Sequence, residues 1–188
     1  MRTTRTKSVV VTGLAGALMA VASPTVTHAQ SQQSYDPSPT PVSALATSAG
    51  PLGLENQKSG KYLQPSGNST ANGAKIVQQT GNSNNSAQHW YTVQDGDYLS
   101  FENGLSGKNL GIDGASTAAG AAAIQANGSG DLNQDWLIIP KTSTQFVLQN
   151  RKSHLCLGIS GASTANGGQA AQFACDGTAN QLWSLHNL

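Results

Sequence analysis

Three histidines, His89, His154 and His186, are the side chains in this sequence best suited to moving a proton or holding a metal. None stands at a spacing that either task uses. His89 lies inside a Gln-x-Trp tripeptide, His154 in a stretch that reads as a turn, and His186 near the C-terminus. No second His, Cys or carboxylate is placed to complete a metal site with any of them. Neither a Gly-x-Ser-x-Gly elbow nor a Cys/His nucleophile pattern occurs. Asp95 and Asp97 flank Gly96, where turn chemistry accounts for them better than a catalytic pair does. The expectation is a protein that is not an enzyme and uses neither cofactor nor metal. What does recur at fixed spacing is amide and indole chemistry. Gln88-His89-Trp90, Gln134-Asp135-Trp136 and Gln181-Leu182-Trp183 repeat one tripeptide and contain all 3 tryptophans.

The elements that must position these residues recur with them. Leu54-Glu55-Asn56, Ser59-Gly60-Lys61 and Leu63 return as Phe101-Glu102-Asn103, Ser106-Gly107-Lys108 and Leu110. They return again as Leu148-Gln149-Asn150, Ser153 and Leu157. Behind them come three Gly-x-Ser-Thr-Ala segments beginning at Gly67, Gly114 and Gly161, then Gln78, Gln125 and Gln172. A period of about 47 residues marks a repeated structural unit. Each unit reads as four short strands. The first set is Leu52–Asn56, Tyr98–Asn103 and Gln145–Asn150; the second is Lys61–Pro65, Lys108–Asp113 and Leu155–Ser160. The third is Ala74–Gln79, Ala121–Ala126 and Gly168–Phe173, and the fourth opens at each tryptophan. Helix propensity competes only at Ala118–Ala126, where the two counterpart segments favour strand. Twelve short strands in three equivalent groups predict an all-β fold, a pseudo-threefold β-trefoil with repeats at about 52–97, 98–144 and 145–188. In it the three tryptophans meet Leu63, Leu110 and Leu157 in a shared core.

Outside the repeats, Arg2, Arg5 and Lys7 precede an apolar run from Val9 to Ala22, and Thr27-His28-Ala29 resembles a cleavage site. Residues 1–29 therefore read as a secretory signal peptide, and the expected location is extracellular. Residues 30–51, rich in Ser, Pro, Thr, Gln and Ala, read as a flexible linker. Without the signal the chain carries seven Lys/Arg against nine Asp/Glu. So neutral a surface argues against nucleic acid as a partner, and no later segment is apolar enough for membrane insertion. Export would place Cys156 and Cys175 where a disulfide persists.

Three evenly spaced Gln-x-Trp motifs, with Ser-Gly-Lys-x-Leu and Ala-Asn-Gly in register, resemble the ricin B-type lectin family. That family also occurs as family-13 carbohydrate-binding modules, and the resemblance covers residues 52–188. It implies a secreted module that binds glycans or polysaccharides without catalysis. The alternative is a trefoil whose sugar sites have decayed and which contacts another secreted protein. The resemblance also implies a Cys156–Cys175 bond within the third repeat and one shallow sugar pocket per repeat. In the family, each pocket combines a carboxylate, a third-strand glutamine, an aromatic and an asparagine before Gln-x-Trp.

Here the carboxylate position holds Gln64, Gly111 and Gly158, and the aromatic position holds Thr80, Asn127 and Ala174. The glutamines persist as Gln78, Gln125 and Gln172. The asparagine persists as Asn133 and Asn180, but Ala87 replaces it in the first repeat. Candidate carbohydrate contacts are therefore Asp113, Gln125, Asn127 and Asn133 in the second repeat, then Ser160, Gln172 and Asn180 in the third. Asp113, two residues beyond Gly111, either serves as the chief hydroxyl acceptor or opens a turn with Gly114. The expected order of binding strength is second, third, then first repeat. Trp90, Trp136 and Trp183 are assigned to the core.

Overall fold

A computed structural model describes residues 50–188; the signal peptide expected over 1–29, and all but the last two residues of the expected linker, lie outside the described residues. Twelve strands follow in order. They are β1 (Leu52–Asn56), β2 (Lys61–Pro65), β3 (Ile76–Gln79), β4 (Trp90–Asp95), β5 (Tyr98–Asn103) and β6 (Asn109–Ile112). Then come β7 (Ala123–Ala126), β8 (Trp136–Pro140), β9 (Phe146–Asn150), β10 (Cys156–Ile159), β11 (Ala170–Phe173) and β12 (Trp183–Asn187). Strands β1, β4, β5, β8, β9 and β12 pair in a ring, each with the next and β12 back to β1. The ring leaves no open edge in the barrel. Hairpins β2–β3, β6–β7 and β10–β11 form the cap, and isolated bridges Lys75–Ile124, Val77–Gln169 and Ala122–Ala171 tie them together. This is the β-trefoil, and the Ala-rich segment ends in the strand β7 rather than forming a helix.

Inside the barrel, Trp90, Trp136 and Trp183 are fully buried with Leu63, Leu110 and Leu157. Each indole Nε1–H donates at 3.0 Å to the carbonyl of that leucine in its own repeat. The motif thus fills the core and leaves no buried donor unpaired. Each tryptophan follows a short 3-10 turn, Ser86–Gln88, Leu132–Gln134 or Ala179–Gln181, which periodicity did not suggest.

Several strands are shorter than the sequence implies. The second strand of the first repeat ends at Pro65 as expected, while those of the second and third end one residue early at Ile112 and Ile159. In each repeat the chain then takes two consecutive left-handed residues, Gly67-Asn68, Gly114-Ala115 and Gly161-Ala162. Each turn is closed by the following serine, whose N–H donates back across it. Asparagine tolerates this conformation; Ala115 and Ala162 adopt it at a cost of about 1 kcal/mol each. Cys156 and Cys175 are bonded as expected, closing a loop whose constraint stabilises the fold by roughly 3 kcal/mol.

Neighbouring repeats are joined by a repeated backbone exchange. Gly73 N–H donates to Gln125 O and Gln125 N–H to Ala74 O; Gly120/Gln172/Ala121 and Gly167/Gln78/Gly168 do the same. Asn72 Oδ1 adds a bond from Asn127 N–H at 2.7 Å, and Asn166 Oδ1 one from Thr80 N–H at 3.0 Å. At the third junction the corresponding residue is Ala119, facing Ala174. On the threefold axis, Gln169 Nε2 lies 2.8 Å from Ile76 O, 3.2 Å from Ala123 O and 2.7 Å from Ala170 O, one carbonyl from each repeat.

Two outcomes test this account in chemical denaturation. Trp136→Ala removes a fully buried indole and its bond to Leu110, and should lower stability by about 3–5 kcal/mol. Ala119→Asn supplies the missing junction acceptor and should raise stability by about 1 kcal/mol.

Candidate functional site

The third-strand glutamines are the residues that the resemblance puts at the ligand in every repeat. Gln78, Gln125 and Gln172 are fully buried. Gln125 Nε2 donates to Ser69 O (2.7 Å) and Ala71 O (2.9 Å), while its Oε1 accepts from Ser106 Oγ (2.7 Å). Gln172 makes the same three bonds with Ser116 O, Ala118 O and Ser153, and Gln78 with Ser163 O, Ala165 O and Ser59. Both amide hydrogens are committed in every case. Gln125 and Gln172, expected at the ligand, are therefore clamps between repeats, buried and with no amide hydrogen left over.

The glycines at the family's carboxylate position are packed, not vacant. A Cβ on Gly111 would stand 3.0 Å from Gln134 Cγ, and one on Gly158 2.9 Å from Gln181 Cγ. In each repeat the Gln-x-Trp glutamine lies across the second strand. Gln134 Nε2 then donates to Asn127 O and Ser129 Oγ, and Gln181 Nε2 to Ala174 O. In the first repeat the same ground is filled by amides. Gln64 Oε1 accepts from Gln88 Nε2 at 2.8 Å, while Gln64 Nε2 donates to Asn68 Oδ1 at 2.7 Å. Asn85 Nδ2 reaches the same Asn68 oxygen at 3.3 Å.

In the second repeat, Ala115 stands where Asn68 stands in the first, and the ground is open. A cavity of about 250 Å³ lies between the turn Asp113–Ala115 and the turn Leu132–Gln134, lined by Ala115, Asp131, Leu132, Asn133 and Lys152. Asp131 presents a carboxylate held by Ser129 Oγ at 2.7 Å, and Leu132 exposes an apolar face. Lys152 enters from the first loop of the third repeat. Acid, amide, cation and aliphatic ledge converge there, the mixture that neutral polyhydroxylated ligands use. In the third repeat the counterpart of Asp131 is Thr178, whose hydroxyl sits 2.7 Å from Asp176 Oδ1 and 2.8 Å from Asn180 Oδ1. Hydrogen bonds from Thr178, its backbone N–H foremost, hold the Asp176 carboxyl below the usual carboxylate range.

Of the residues singled out in the sequence, Asn133 lines the cavity, its Nδ2 donating to Ile112 O at 3.1 Å. Asp113 is exposed at the head of its turn and does not line the cavity. Asn127 is exposed, with its N–H and C=O both taken by neighbours. Ser160 and Asn180 are half-buried in the third repeat, the latter 3.5 Å from Ile159 O. Asp131 and Leu132 directly precede Asn133 and were legible as its neighbours. Lys152 was not, because only the fold brings it across a repeat boundary. Among the described residues no His, Cys, Asp or Glu cluster suits a metal, and no helix is long and apolar enough to cross a membrane.

Gln125→Ala tests the reassignment of the clamps. It strands two carbonyls and a serine hydroxyl, and should cost about 2–4 kcal/mol of stability; a variant with unchanged denaturation midpoint would contradict the assignment.

Comparison with known proteins agrees with this fold. The family described as ricin-type beta-trefoil lectin domain-like matches residues 45–126 and 132–188. Among solved structures, the designed three-fold symmetric protein ThreeFoil is 33% identical with a TM-score of 0.71, over 73% of this chain and 99% of that one. An exo-beta-1,3-galactanase from Clostridium thermocellum is 29% identical with a TM-score of 0.72. The match covers 76% of this chain but only 31% of the galactanase. A Macrolepiota procera ricin B-like lectin, solved with lactose, shares the fold at 21% identity and a TM-score of 0.64, over 75% of this chain and 98% of the lectin. No curated protein matches the sequence.

Proposed function

This chain belongs to the ricin-type beta-trefoil lectin domain-like family, and from that premise we propose that it is a secreted module that binds extracellular glycans or polysaccharides without catalysing their turnover. The observation that carries the reading is the second-repeat cavity. Asp131 accepts hydrogen bonds from sugar hydroxyls, Lys152 and Asn133 supply further polar contacts, and Leu132 meets the apolar face of the ring. A solvent-open cavity of this size with no aromatic wall binds weakly, in the millimolar range, about −4 kcal/mol. Retention on a polymer then depends on engaging more than one site per chain.

The second repeat ranks first for the same reason that the first ranks last. Gln64, Asn68 and Asn85 occupy the first repeat's pocket with their own hydrogen bonds. Similarity to one segment of a galactanase makes β-1,3-galactan the first polymer to try. A second reading, contact with another secreted protein, draws support from the packed glycines Gly111 and Gly158.

A glycan array and pull-down on insoluble polysaccharides separate the two. On the proposed reading, Asp131→Ala and Lys152→Ala each weaken binding to the selected glycan about tenfold, near 1.4 kcal/mol, with no change in melting temperature. Failure of the intact protein to bind any sugar, with capture of a specific secreted protein, would favour the second reading.

A further inference from the structure

The family's aromatic and carboxylate positions are unfilled in all three repeats, yet an aromatic and a carboxylate stand side by side elsewhere on this molecule. Tyr91 on β4 is 41% exposed and lies directly opposite Glu102 on β5, on the outer wall of the barrel. The Glu102 carboxylate makes no ion pair or hydrogen bond with another described residue. Cross-strand partners on one face hold their side chains about 5 Å apart, close enough for a single sugar ring to touch both.

Internal symmetry supplies the control. The pair equivalent to Tyr91 and Glu102 is Leu137 and Gln149 in the second unit, and Ser184 and Glu55 in the third. At those positions the polar partner is engaged: Gln149 Nε2 donates to His154 O, and Glu55 lies against His186. The fold therefore requires neither an aromatic nor an unpaired acid here. Gly104 sharpens the contrast. A Cβ at that residue would come within 2.9 Å of His89 Cβ and 3.2 Å of Tyr91 Cε2, so the ring edge rests against backbone. Its counterparts are long side chains. Gln57 bonds across to Ser184, and Arg151 covers the Tyr98 ring at 4.4 Å. Glycine at 104 lets the Tyr91 ring lie against the backbone, where any side chain would crowd it.

We infer that Tyr91 and Glu102 form a second carbohydrate contact, outside the repeat pockets, for a pyranose unit of a neutral polysaccharide. The inference rests on the proposed carbohydrate-binding function. The ring's apolar C–H face stacks on Tyr91, and a hydroxyl at its rim donates to the Glu102 carboxylate. Val93, 57% exposed and two residues along the same face, continues the apolar strip by about 6–7 Å toward the next sugar unit. An unpaired carboxylate at the edge disfavours uronic acids and other anionic polymers.

The test uses the full chain with β-1,3-galactan, xylan and chitin as insoluble polymers and their hexasaccharides as soluble probes. Tyr91→Leu and Glu102→Gln install residues that the second unit already carries at these positions, so both should fold with unchanged melting temperature. Each should weaken retention on the bound polymer at least fivefold, and combination with Asp131→Ala should multiply the losses. Tyr91→Leu that binds every wild-type polymer unchanged, while Asp131→Ala does not, overturns this inference and leaves the pocket reading intact. The reverse pattern upholds the inference and removes the pocket. A wild-type chain that binds none of the three overturns both.

Discussion

The buried glutamine clamp is the interaction on which the rest of this structure depends. An amide taken out of water without partners costs several kcal/mol, and three of them, Gln78, Gln125 and Gln172, are fully enclosed. Each is satisfied by carbonyls that belong to another repeat and by a serine in its own. No repeat can therefore satisfy its own glutamine alone. The tryptophans supply the apolar driving force, but a buried indole is tolerant of where its neighbour stands. The amide is not, and it fixes the rotation between units.

A scaffold locked in this way leaves its surface free to diverge, and divergence is where recognition chemistry arises. The same backbone position is Asn68 in one repeat, sealing a pocket, and Ala115 in the next, opening one. Ala115 holds a left-handed conformation that asparagine would adopt more readily. Local conformational preference is thus set against an open cavity, a balance common at functional sites. Gly104 shows the same logic on the barrel wall, where its two counterparts reach across with long side chains.

Much of the architecture was legible because it repeats. Three tryptophans and three asparagines in register gave the fold, the core and all twelve strands. The disulfide followed from the resemblance to a known family. Strand ends were less legible, since paired left-handed residues such as Gly114-Ala115 carry a weak sequence signal when one of them is alanine. The site was least legible, for two physical reasons. A glutamine at the end of a strand looks the same whether it faces solvent or a neighbouring repeat, and only the three-body geometry at Gln125 tells them apart. Lys152 and Asp131 belong to different repeats, and nothing in their separation along the chain brings them together. Asp113 suits either a ligand contact or a turn by sequence, and it lies exposed in the turn, outside the cavity.

The bonding of Gln169 carries a consequence for how such a chain avoids misassembly. Three equivalent carbonyls converge on the axis, yet one side chain alone reaches all of them, while Lys75 and Ala122 occupy the related positions. Identical residues at all three positions would direct three side chains at a single point. A chain of near-identical units is otherwise open to permuted docking and to exchange of units between molecules. An axial residue that fits from one direction only acts as a key, distinguishing the third unit from the other two at the place where all three must meet.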